Sequence, residues 1–75
     1  MGHVKSGFVL QINRNDNIGV IREIDTQTEW IFFLDEVDTK EVRINSFVTF
    51  IKDADYEQFV AMDLKINHNL YRKAV

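Results

Sequence analysis

The sequence predicts an all-β domain, five antiparallel strands curled into a small barrel. Three observations carry that expectation. β-Branched and aromatic residues arrive in short bursts, the pattern that suits pleated, half-buried strands. Clusters of Asn, Asp and Thr separate the bursts, and no proline interrupts them. The chain has 75 residues, 45% of them apolar, enough for one folded domain and no more. No linker composition, repeat or low-complexity tract divides it. Residues 1–75 are therefore expected to form a single domain, with the barrel over about 4–66.

Each element follows in order. Lys5 to Asn13 reads as the first strand, with Phe8, Leu10 and Ile12 on one face and Val9 on the other. Asn13-Arg14-Asn15-Asp16-Asn17 is a turn, because Asn and Asp accept left-handed backbone and bond their own main chain. Ile18 to Ile24 is the second strand, Asp25 to Thr28 a second turn, and Glu29 to Leu34 the third strand. Asp35 to Ile44 is a longer connection with room for one short helical turn. Phe47 to Lys52 alternates as a fourth strand, Asp53-Ala54-Asp55 turns the chain, and Phe59 to Ile66 is the fifth. Residues 67–75 read as a tail or short helix. Short turns with one long connection between the third and fourth strands match an OB-type Greek-key barrel. An SH3-like barrel is the competing layout at this length.

Composition narrows the function classes. The net charge is −3, from nine basic and twelve acidic residues, which disfavours strong binding to a phosphate backbone. The acids concentrate at Glu29, Asp35, Glu36, Asp38 and Glu41, against Lys40 alone. The absence of cysteine excludes disulfides and thiolate metal sites, and His3 and His68 are too few for a histidine cage. No apolar run approaches the ~18 residues of a membrane span, and no apolar leader opens the chain. A cytoplasmic protein without membrane attachment is the simplest expectation. Asn13, Asn15, Asp16 and Asn17 superficially suggest a calcium loop. The central glycine is missing and Ile24 stands where the bidentate glutamate belongs, so turn chemistry explains them. Asp35, Glu36 and Asp38 have no nucleophile or histidine near them in sequence, and no phosphate loop or nucleophile elbow exists. Neither an enzyme nor a cofactor is expected.

Four segments carry a resemblance. They are Gly7-Phe8-Val9 with Asn13, Asp16-Asn17-Ile18-Gly19-Val20-Ile21, Trp30-Ile31-Phe32-Phe33-Leu34, and Asn45-Ser46-Phe47-Val48-Thr49-Phe50. Their order and spacing resemble the bacterial cold-shock domain, an OB-fold family. From Ser6 to Val37 the match needs no gap, and it resumes to about Leu64 after a shortened connection. Gly19, Ile21, Val48 and Phe50 carry it most, and Asn45 stands where the family has glycine.

The resemblance implies binding of single-stranded RNA or DNA. In that family, outward aromatics on the second and third strands stack on unpaired bases, worth ~1–3 kcal/mol per base. Here those positions hold Gln11, Ile18, Val20 and Ile31, and Phe33 stands in the place of a histidine. Two basic positions beside the platform are Leu10 and Asp16. The expected binding is therefore weak and salt-sensitive. Phe33 is the stacking candidate, with Ile18, Val20 and Ile31 around it. Gln11 and Asn13 are candidates for base edges, and Lys5, Arg14 and Arg22 for phosphate.

The same substitutions allow a second use. Leu10, Ile18, Val20, Ile31 and Phe33 would form an apolar patch suited to a protein partner or a second copy of the chain. The C-terminal segment, through Leu70, Tyr71 and Val75, is another candidate cover. Trp30 and Phe32 are expected inside the barrel with Val9, Ile21, Val48 and Phe50.

Overall fold

The computed structural model describes residues 3–37 and 41–67. Among the described residues the domain is all-β apart from one 3₁₀ turn. Its strands are β1 (Lys5–Asn13), β2 (Ile18–Glu23), β3 (Glu29–Phe33), β4 (Phe47–Lys52) and β5 (Ala61–Ile66), with the 3₁₀ turn at Leu34–Glu36. All pair antiparallel in one sheet of order β3-β2-β1-β4-β5. The sheet is not closed by a continuous ladder. Its two ends approach at a single parallel bridge between Ile31 and Val60, where the Ile31 N–H donates to the Phe59 carbonyl at 3.0 Å. Among the described residues no helix is long and apolar enough to cross a membrane.

Side-chain chemistry shapes the turns. In the β1–β2 turn the Asp16 N–H donates to Asn13 Oδ1 at 3.1 Å, and Asn13 Nδ2 donates to Asp16 Oδ2 at 2.9 Å. Asn17 then takes φ 62°, a left-handed value that asparagine accepts at low cost. Asn45 does the same at φ 74°, just before β4. Between β2 and β3, Thr26 Oγ1 donates to Glu23 Oε1 at 3.0 Å and accepts the Thr28 N–H at 3.2 Å.

The expected core is the observed core. Val9, Ile21, Phe32, Val48 and Phe50 are 0–1% exposed and Trp30 is 3% exposed; Leu34, Val42 and Ala61 join them. Phe32 is seated by Gly19, where a methyl group would overlap its ring. At Gly7 a methyl group would run into the Arg22 backbone carbonyl, which cannot swing aside.

Four expectations need correction. Phe8, Leu10 and Ile12 do not share a face. The β1–β2 register shifts between Val9 and Gln11, so that Leu10 and Gln11 together oppose Val20. This bulge reverses the alternation: Ile12 packs on the core, while Phe8 stays 41% exposed. Ile24 falls outside β2, in the turn that Glu23 and Thr26 organise. Leu34 leaves β3 to begin the 3₁₀ turn. Phe59 and Val60 precede β5, held at the edge of β3 instead. The tail contacts expected of Leu70, Tyr71 and Val75 lie outside the described residues.

Candidate nucleic-acid interface

Antiparallel register places the outward residues of three strands in rows. Asn13, Ile18 and Phe33 form one row, and Gln11, Val20 and Ile31 the next. A third row runs Phe8, Arg22 and Glu29. Neighbours within a row lie on strands ~4.8 Å apart, so the first two rows form one continuous surface. Ile31 is 40% exposed on it, whereas Ile18, Val20 and Phe33 are half-buried. Leu10 is half-buried beside them at the bulge.

The expected polar residues are less available than the apolar ones. Asn13 spends its amide on Asp16 within the turn. Arg22 faces Glu29 at 3.4 Å across the β2–β3 pair, an exposed contact that partly cancels its charge for an incoming phosphate. Lys5 lies on the inward side with Gly7 and Val9. Its Nζ is 5.7 Å from the Trp30 ring centroid and 3.9 Å from Glu23 Oε2. Glu23, 7% exposed, also accepts the Trp30 Nε1–H at 3.0 Å. Lys5 therefore belongs to the group that seals one end of the core. Gln11 and Arg14 remain exposed, with no side-chain partner among the described residues.

Two further aromatics come from the β4–β5 connection, Tyr56 onto this surface and Phe59 against the inward Trp30. The Tyr56 ring lies 6.0 Å from that of Phe33, and the Phe59 ring lies 5.0 Å from that of Trp30. Tyr56 is 42% and Phe59 56% exposed. The connection is held by its own polar groups. Lys52 Nζ donates to the Tyr56 carbonyl at 2.5 Å, the Tyr56 N–H to the Asp53 carbonyl at 3.2 Å, and the Asp53 N–H to the Val60 carbonyl at 2.8 Å. The Asp55 N–H donates to Asp53 Oδ1 at 3.0 Å, an Asx turn. Nothing in the local pattern marks Tyr56 or Phe59 as site residues: Tyr56 sits in a polar turn, Phe59 opens an apolar run that reads as strand, and both lie far in sequence from β3. The one usable signal is the expected curling of the five strands into a barrel, which brings the residues just before β5 beside β3.

The arrangement offers an apolar strip with aromatic rings at one end and amides at the other. Such a surface can take flat, partly apolar groups such as unpaired bases. No protein-family model, curated protein or solved structure matches the chain.

Proposed function

We propose that this domain is a divergent OB-type barrel of the cold-shock kind that binds single-stranded RNA or DNA weakly, through the outward face of β2 and β3. The observation that carries the reading is the Phe33–Tyr56 pair, 6.0 Å apart at the end of the Ile18–Phe33 row, with Phe33 half-buried and Tyr56 exposed. It supplies ring faces next to a strip whose other members are aliphatic. Support also comes from the strand order and from the approach of β3 to the start of β5. Bases would stack on Phe33 and Tyr56 and lie against Ile31, Val20 and Ile18. Gln11 would reach a base edge.

The test is an NMR titration of the labelled chain with short poly-T and poly-U at low salt. Shifts should cluster on residues 8–20, 30–34 and 56–59. A Phe33→Ala, Tyr56→Ala double variant should lose roughly 5- to 150-fold in affinity for each stacked base that loses its platform. A folded domain with no shifts anywhere would overturn the reading.

A second reading draws on Ile31, exposed between half-buried aliphatics in a chain of net charge −3. The same face would then pack against a protein partner or a second copy of the chain. Sedimentation at high concentration separates the two readings. A dimer abolished by Ile31→Asp, with no oligonucleotide shifts, would favour self-association.

A further inference from the structure

On the far side of β1 from β2 lies a groove of about 920 Å³ that shares Gln11 and Asn13 with the rows of the stacking face and extends beyond them. Its origin is a parting of backbones. β1 pairs with β4 only from Lys5 to Phe8. One more contact follows, where the Val9 N–H donates to the Ser46 carbonyl at 3.0 Å and the Asn45 N–H to the Val9 carbonyl at 2.7 Å. Beyond it, residues 11–15 and residues 43–44 diverge and become the two walls.

Each wall contributes an arginine to the lining, Arg14 from one and Arg43 from the other. Both residues are exposed, and neither guanidinium has an ion-pair or hydrogen-bond partner among the described residues. Their backbones are nonetheless anchored. Arg14 sits inside the turn that Asn13 and Asp16 lock. The Arg43 N–H donates to Ser46 Oγ and the Ser46 N–H returns to the Arg43 carbonyl, both at 2.9 Å. The carboxylate next to the groove, Asp16, accepts from the Asn13 amide and pairs with neither arginine. Gln11 and Asn15 add exposed amides, and Ile44 an apolar floor that is 58% exposed. In a chain with more acids than bases, two unpaired arginines on anchored backbone at the border of one groove can bring their guanidiniums to an anion there.

We infer that this groove is a phosphate site, in which Arg14 and Arg43 hold phosphate groups of the same single strand whose bases lie on the Phe33–Tyr56 rim. The inference rests on the function proposed above and extends it to the opposite border of the surface. Asn13 ends the groove and begins the row that leads through Ile18 to Phe33. That row spans two strand spacings, about 10 Å. A strand crossing β1, β2 and β3 would thus meet guanidiniums first and rings last. The planar fork of arginine matches phosphate oxygens in pairs, which lysine would not reproduce.

The test compares the intact chain with an Arg14→Gln, Arg43→Gln double variant. Both side chains are exposed, so the fold should survive, and circular dichroism checks it. Binding of a short poly-T is measured across a salt series. On a single strand each phosphate contact contributes about 0.7 to the slope of log K against log salt, so the double variant should lose about 1.4. Its affinity at low salt should fall roughly tenfold. The Phe33→Ala, Tyr56→Ala variant should weaken binding with the slope unchanged. An unaltered slope in the arginine variant, with the parent still binding, would overturn the groove and leave the stacking face standing. Inorganic pyrophosphate, followed by NMR, covers the opposite case. Shifts at residues 11–15 and 43–44 with pyrophosphate but none with poly-T would keep the phosphate site and remove the single strand. Silence at those residues with both ligands would overturn the inference.

Discussion

Consecutive residues of β3 meet opposite environments. Trp30 and Phe32 point inward and are 3% and 0% exposed, while Ile31 between them is 40% exposed. The inward pair fills space with rings. Trp30 packs edge-on against Phe50 at 5.3 Å and Phe59 at 5.0 Å, and Phe32 occupies the gap left by Gly19. The outward side has one ring of its own, Phe33, and receives a second, Tyr56, from the β4–β5 connection. A single segment therefore serves both sides of the strand. Phe59 covers the Trp30 edge while its carbonyl bonds Ile31, and Tyr56 extends the surface three residues earlier. This arrangement also protects the outer edge of β3, which would otherwise present unpaired backbone groups. Aromatic content on the outer face thus depends on tertiary contact as well as on the strand's own residues.

The difference is broken most severely from inside. Phe32→Ala removes a fully buried ring above a residue with no side chain to collapse into the gap. The expected loss is ~3–5 kcal/mol, most of the stability available to a domain of this size. Chemical denaturation should give a large drop in midpoint, or a chain that no longer folds. Gly19→Ala attacks the same contact from the other side by overpacking and should lose ~1–3 kcal/mol. A Phe32→Ala domain of undiminished stability would mean the inner face is not packed as described.

Much of the inner face was legible in the chain, and less of the outer. The strands follow from bursts of β-branched and aromatic residues between turn residues, and the six expected core residues from the positions the resemblance assigns them together with the burial tendency of large aromatics. The failures have a common cause. A bulge at Leu10 shifts the alternation of β1 by one residue and moves Ile12 inward, and local pattern carries no warning of it. Phe59 looked like the first residue of a strand because it opens an apolar run. Its place is set by β3, a neighbour in space. Lys5 and Arg22 looked free because sequence does not show that Glu23 and Glu29 stand beside them in the folded sheet. Tyr56 was invisible for the same reason.

Glu23 gives the next largest effect. It is buried, accepts the Trp30 Nε1–H and the Thr26 hydroxyl, and lies 3.9 Å from Lys5. Glu23→Ala leaves the indole N–H without its acceptor in a buried setting, which should lose ~1–3 kcal/mol. Glu23→Gln keeps an acceptor at that place and removes only the charge. It should lose under about 1 kcal/mol, because the Lys5 contact is long and partly hydrated. Urea unfolding of both variants tests this order. If glutamine is as damaging as alanine, the charge pairing with Lys5 matters more than the bond to Trp30.

The smallest effect on stability carries information about the outer face. Arg22 and Glu29 face each other at 3.4 Å with side chains 48% and 58% exposed, so their pairing contributes at most a few tenths of a kcal/mol. Glu29→Gln should leave the unfolding midpoint almost unchanged. Its consequence for binding should be larger, because it removes an anion beside the Ile31 row and releases the Arg22 guanidinium. Poly-T affinity should rise about two- to fivefold at low salt, with the salt slope steeper by about 0.7 if Arg22 then meets a phosphate. A rise in affinity without a steeper slope would mean that only repulsion was removed. Unchanged affinity would place the path of the strand away from Arg22, confining it to the rows that run through Val20 and Ile18.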